Sequence, residues 1–225
     1  MKIVAVLAAV IVVLGAGFWF LSAREGGVAP VVVDSTTSTN TTASSTAVQA
    51  AATTTTTTTN TIQQKKNMTA TLHTTMGDIT ITFLPEQAPN TVANFIKLAK
   101  SGFFDGTKFH RVIKNFMIQG GDPLSKDDTK KAQWGTGGPG YQFADEISKT
   151  NSNGAGAVAM ANSGPNTQGS QFFINAVDNH YLDPNYTVFA QVTSGMDVVT
   201  AIDAVATDSG NRPLSPVTIT SVVVQ

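Results

Sequence analysis

Residues 68–225 carry their apolar side chains in short runs, each divided from the next by Gly, Pro, Asn or Asp. A chain patterned this way builds many short strands and few helices. Runs of about four to eight residues suit a strand but are too short to bury a helical face over several turns. Residues 70–74 and 78–84 alternate apolar residues with Thr around Met76-Gly77-Asp78, which predicts an antiparallel hairpin. The runs at 108–113, 116–119, 155–161, 172–175 and 188–192 predict further strands, and 217–224 predicts the last. Two segments depart from this pattern. Over 89–102, Val92, Phe95, Ile96 and Ala99 recur at helical spacing, with Pro89 in the first turn, Lys97 and Lys100 late and Gly102 just beyond. Residues 196–203 predict a second, shorter helix through Met196, Val199, Ala201 and Ile202. Strands and helices do not alternate regularly, so the expectation is an all-β barrel or sandwich with two helices rather than a parallel α/β sheet.

Ahead of this domain the composition changes twice. Residues 3–21 are an almost unbroken run of Val, Leu, Ala, Ile, Phe and Trp, with Lys2 before it and Arg24 after it. At about 1.5 Å per residue the run spans a hydrocarbon core of about 30 Å, and it exceeds the roughly 7–15 apolar residues of a secretory signal peptide. Residues 1–25 are therefore expected to be an uncleaved signal anchor, a single transmembrane helix with the amino terminus inside and the domain outside the cell membrane. A cleaved signal and a secreted domain is the alternative, though Leu21-Ser22-Ala23 matches a cleavage site poorly. Residues 34–64 are dominated by Thr, Ser, Ala and Asn, including an unbroken Thr run at 53–59. They lack the aromatic and large aliphatic residues whose burial offsets chain entropy, so residues 26–67 are expected to form a disordered tether.

The absence of cysteine excludes disulfides, thiolate metal sites and a cysteine nucleophile. A net charge of −1 gives no electrostatic case for nucleic-acid binding. His73, His110 and His180 have no metal-ligand spacing, so neither a metal nor a cofactor is expected. The run Gly135-Thr136-Gly137-Gly138-Pro139-Gly140-Tyr141 lacks the Lys-Ser/Thr ending and the following helix of a phosphate-binding loop.

Two segments carry the chemistry. The first, Phe109-His110-Arg111-Val112-Ile113-Lys114-Asn115-Phe116-Met117-Ile118-Gln119-Gly120-Gly121-Asp122, sets Arg111 among apolar and aromatic side chains. A guanidinium keeps its charge at any physiological pH and is costly to bury unless its donors find partners. A snorkelling arginine on a half-buried strand would account for this segment alone. The second is Met160-Ala161-Asn162-Ser163-Gly164-Pro165-Asn166-Thr167-Gln168-Gly169-Ser170-Gln171-Phe172-Phe173-Ile174, a polar, turn-rich loop entering an aromatic strand. Together, in order and spacing, they resemble the signature of the cyclophilin family of peptidyl-prolyl cis-trans isomerases, and the resemblance extends over residues 68–225. The form Thr136-Gly137-Gly138-Pro139-Gly140-Tyr141 is similar to that of bacterial members, whose glycine-rich loop lies beside the substrate groove.

The resemblance implies a closed eight-stranded antiparallel barrel with a helix over each open end. It implies that Arg111 is the principal catalytic residue, and that Phe116, Met117, Gln119, Ala161, Asn162, Ser163, Gln171, Phe173, Tyr181, Leu182 and Tyr186 bind substrate. The residue types suit the reaction. Rotation about an Xaa-Pro bond crosses a barrier of about 18–20 kcal/mol set by amide resonance. A fixed guanidinium that donates more strongly to the twisted amide than to the planar one lowers that barrier without a nucleophile, metal or proton transfer. Phe116, Met117, Phe173 and Leu182 would grip the prolyl ring, while Gln119, Asn162 and the loop backbone hold the peptide. His110, beside Arg111, is expected to face the barrel interior as a structural residue. Residues 125–134 form a charged insertion with no assigned role.

Many eukaryotic cyclophilins have Trp at the position of Tyr181 and His at that of Tyr186, so weak cyclosporin binding is expected. The expected partners are proline-containing exported polypeptides, whose folding the domain would assist, and the membrane, through the N-terminal helix. The domain is expected to be a monomer. The alternative is a peptide-binding scaffold or chaperone using the same groove with little catalysis.

Overall fold

The computed structural model describes residues 68–225, so the expected anchor and tether lie outside the described residues. Among the described residues no helix is long and apolar enough to cross a membrane. The predicted hairpin is β1 (Thr69–Thr74) and β2 (Gly77–Phe83), paired antiparallel. There follow α1 (Pro89–Lys100), β3 (Arg111–Ile113), β4 (Met117–Gly120), β5 (Ala157–Met160), β6 (Phe172–Asn175), β7 (Val188–Ser194), α2 (Met196–Asp203) and β8 (Ile219–Val224).

All eight strands form one antiparallel sheet in the order β3-β4-β6-β5-β7-β2-β1-β8. Register shifts at His73/Thr74, Thr80/Ile81 and Val158/Ala159 bend it, since an extra residue on one strand increases local curvature. The expected closed barrel is corrected here: the sheet stays open between β3 and β8. Across that seam Lys108 and Thr218 form an isolated bridge, and the Phe109 N–H donates to the Val217 carbonyl at 2.9 Å. Pro213 and Pro216 have no N–H to extend a ladder, and the Val112 N–H turns to the Asn211 carbonyl at 2.8 Å. The run at 108–113 therefore contributes only three residues to a strand.

The inner face packs around Phe95 of α1, whose ring centroid lies 4.8 Å from that of Phe104, 5.2 Å from Phe189, 5.5 Å from Phe172 and 5.7 Å from Phe83. α1 lies against β7 and β8, α2 lies against β2, β3 and β4, and Val199 and Ile202 of α2 join the same core. Ala88 gives α1 no side-chain cap. Glu146 supplies one from a distant loop, accepting the N–H groups of Asn90 and Thr91 at 3.1 and 2.7 Å and their side chains at 2.8 Å each. Burial opposes ionisation of Glu146, but these four bonds outweigh it and hold the carboxyl below its ordinary range.

The charged insertion folds as two 3-10 turns, Pro123–Lys126 and Asp128–Gln133. Together they cover Lys108, whose ammonium donates to the Ser125 carbonyl at 2.7 Å and to Asp128 Oδ1 at 3.0 Å, with the Trp134 ring 5.0 Å away. The insertion thus neutralises a buried lysine and delivers Trp134 to the neighbouring cavity.

Candidate active site

The outer face of the sheet carries a second, smaller apolar cluster of Met117, Ala157, Ala159, Phe173 and Val188, flanked by Ile113, Phe116, Ala161, Leu182 and Tyr186. Strand alternation separates it from the core: Ile118 and Ile174 point inward where their neighbours Met117 and Phe173 point outward. Above it is a cavity of about 360 Å³ lined by Arg111, Phe116, Met117, Gln119, Ala161, Asn162, Phe173, Leu182 and Tyr186. Nine of the residues expected at the site thus meet there. Ser163 and Gln171 line an adjoining cavity of about 710 Å³ along the glycine-rich loop, which shares Gln119, Ala161 and Asn162 with the first. Tyr181 lines neither. It is 67 % exposed and stacks on Phe116 from outside, with centroids 6.2 Å apart.

Arg111 is aimed by a relay of amides. It faces Gln119 across the β3–β4 pair, and its Nη1 donates to Gln119 Oε1 at 3.1 Å. Gln119 Nε2 donates to Gln171 Oε1 at 2.9 Å, and Gln171 Nε2 donates to the carbonyls of Gly135 and Gly137 at 2.9 and 2.8 Å. Beneath that loop the fully buried Asp122 accepts the N–H groups of Gly135 and Gly137. A Cβ on Gly137 would overlap the Asp122 carboxylate, so only glycine allows this approach. On the far wall Asn162 donates to the Asn185 carbonyl at 2.8 Å, and Phe173 meets Tyr186 edge to face at 5.5 Å. The Asn179 amide holds the Phe116 carbonyl at 2.9 Å, fixing the turn that carries this ring.

His110 departs from expectation. It is buried, but it lines the same cavity as Arg111 instead of facing the core. Phe109 and Val112 both point into the core, and their three-residue spacing breaks the alternation, leaving His110 and Arg111 both outside it. Neither ring nitrogen makes a well-aligned hydrogen bond, although the Lys108 backbone and the Gln171 side chain lie near enough to favour its protonated form. Burial pushes its pKa below the ordinary value, with Asp122 pulling the other way and Arg111 adding to the depression. Trp134, Gly135, Gly210 and Arg212 complete the lining. Gly135 is signalled by the glycine-rich run, whereas Arg212 joins from 101 positions beyond Arg111 with no local signal.

Residues 69–224 match the family model described as cyclophilin type peptidyl-prolyl cis-trans isomerase/CLD. The chain belongs to the cyclophilin family. Peptidyl-prolyl cis-trans isomerase is therefore its enzyme class. Among relatives, peptidyl-prolyl cis-trans isomerase 9 of Schizosaccharomyces pombe is 48 % identical over 157 residues, which are 68 % of this chain and 24 % of the relative. This chain thus spans about a quarter of that longer protein. The probable peptidyl-prolyl cis-trans isomerase A of Mycobacterium leprae is 44 % identical over 177 residues, 71 % of this chain and 93 % of the relative. A crystal structure of a Cryptosporidium parvum cyclophilin type peptidyl-prolyl cis-trans isomerase superposes with a TM-score of 0.65 at 31 % identity, over 71 % of this chain and 98 % of that one. A second structure of that protein, in the presence of the dipeptide Ala-Pro, gives 0.64 over 70 % and 98 %.

Proposed function

We propose that this cyclophilin domain catalyses rotation about Xaa-Pro bonds in exported polypeptides and assists their folding from a membrane-tethered position outside the cell. The observation that carries the catalytic part is a guanidinium held over an apolar cavity by a neutral amide. Arg111 donates Nη1 to Gln119, which steers the group while leaving its charge uncompensated and its other donors free for substrate. Met117 and Phe173, both at most 4 % exposed, form a floor with Phe116 and Leu182 that receives the prolyl ring. The Ala161–Ser163 backbone and the Asn162 amide hold the chain on either side of it. With the ring gripped, rotation makes the prolyl nitrogen pyramidal and basic, and the Arg111 donor binds that state more tightly than the planar one. The Ala-Pro dipeptide named for the Cryptosporidium protein supports a prolyl ligand.

The test compares wild type with Arg111→Ala in cis/trans exchange on a short proline peptide, followed by NMR. A fall of about 10²–10³-fold, as for removal of one preorganised donor, is expected. Equal rates would remove Arg111 from catalysis, and peptide binding without exchange in wild type would favour the scaffold reading. The exported, anchored state is supported by the apolar run at residues 3–21. Fractionating the host and sequencing the mature amino terminus tests it, and a soluble cytoplasmic protein would sink it. Weak cyclosporin binding is supported by Tyr181 standing out on the rim. Inhibition at nanomolar concentration would overturn that.

A further inference from the structure

Two guanidinium groups line the 360 Å³ cavity, those of Arg111 and Arg212, and no Asp or Glu is among its lining residues. We propose that Arg212 is a specificity-determining residue that favours substrates with a carboxylate side chain next to the proline. This rests on the isomerase reading above and adds to it the substrate class.

Arg212 is held in place by a built loop. The N–H groups of Gly210 and Arg212 donate to Asp208 Oδ1 at 2.8 and 3.0 Å, and the Asp208 N–H returns a bond to the Arg212 carbonyl at 2.9 Å. Asn211 turns the chain with a φ of 60°, and its carbonyl accepts the N–H of Val112, the residue after Arg111. The backbone of one arginine is thereby fixed against that of the other. The guanidinium lies against Gly210, where a Cβ would overlap its Nη1, so glycine gives it the space it occupies.

The group so placed lacks an anionic partner. Among the described residues no carboxylate forms an ion pair with Arg212, and its side chain makes no hydrogen bond. Asp208 senses its charge through space but is engaged by backbone N–H groups and lies 3.8 Å from the Lys131 ammonium. Arg111 meets only the neutral Gln119. A carboxylate brought into the cavity by the substrate would meet both guanidinium groups, with no acid on the lining to compete for them. The planar fork of a guanidinium suits that group through paired, charge-assisted hydrogen bonds.

The experiment follows cis/trans exchange by NMR on four end-blocked peptides that differ only in Glu or Gln immediately before or immediately after the proline. Wild type, Arg212→Gln and Arg212→Lys are compared. On the side that faces Arg212, the Glu peptide should exceed its Gln counterpart in kcat/KM by roughly tenfold or more, the lower end of the range for one charge-assisted hydrogen bond. The ratio should shrink in high salt, persist in part in Arg212→Lys and approach one in Arg212→Gln. A ratio near one in wild type on both sides, or one unchanged in Arg212→Gln, overturns the inference. Exchange of none of the four peptides would instead overturn the isomerase reading on which it rests.

Discussion

Phe172 and Phe173 are neighbours on β6 and are both almost fully buried, yet they belong to different parts of the molecule. Phe172 packs into the inner aromatic core with Phe95, Phe104 and Phe109. Phe173 lies on the outer face with Met117 and Ala159, beneath a cavity edged by Arg111, Gln119 and Asn162. One face is apolar throughout and faces the two helices. The other has an apolar floor and a polar rim in which the amides of Gln119 and Gln171 are bonded to each other. The contrast teaches that the same two-residue period can serve stability on one side and ligand shape on the other, with the helices deciding which side is filled.

Phe172→Ala tests the inner face most severely: truncation there should cost about 3–5 kcal/mol of unfolding free energy by denaturant titration. A loss under 1 kcal/mol would mean that the core closes over the gap. On the outer face Arg111→Lys should retain the fold, with an unchanged melting temperature within a few degrees, and lose on the order of 10²-fold in exchange rate, because a point charge cannot reproduce the guanidinium fork. Retained activity would show that charge alone suffices. Glu146→Ala removes the borrowed cap of α1 and should cost about 1–2 kcal/mol with peptide exchange little changed, placing it with the inner face. Acid sensitivity separates further: Glu146 stabilises above about pH 4.5 and its contribution is lost as pH falls through its depressed folded value.

The smallest effect belongs to His110. Its folded pKa lies below the unfolded value of about 6.5, so as pH falls beneath 6.5 the unfolded chain takes up a proton that the folded one refuses. Stability should therefore decline below pH 6.5 toward the folded pKa, by at most about 1.4 kcal/mol per pH unit from this group. In His110→Gln that slope between pH 6.5 and 5 should flatten. Parallel profiles for the two proteins would show that the ring titrates alike in both states.

Much of this division was legible before any coordinates. The hairpin, both helices and the short strands followed from apolar spacing and from Pro and Gly at the ends, which are local signals. Nine residues of the cavity followed from a resemblance spread over two segments. What escaped was non-local. The seam between β3 and β8 rests on the pairing of Lys108 with Thr218, 110 positions later. The orientation of His110 depends on Phe109 and Val112 both turning inward. The cap that Glu146 places on α1 crosses 55 positions to Thr91, and Arg212 reaches the cavity through a loop with no apolar period to read.

The open seam has a consequence for how the protein behaves in company. A sheet with two edges ordinarily presents unpaired N–H and C=O groups that can recruit a strand from another molecule. Here the edge at β3 is three residues long, and the chain before it and before β8 meets across the gap through a single bridge. Pro216, exposed just before Val217, offers no donor to an incoming strand. The two edges thereby shield each other, and the domain should resist strand-to-strand aggregation when crowded. Removing that shield by Pro216→Val should leave the fold intact while lowering the concentration at which light scattering first rises.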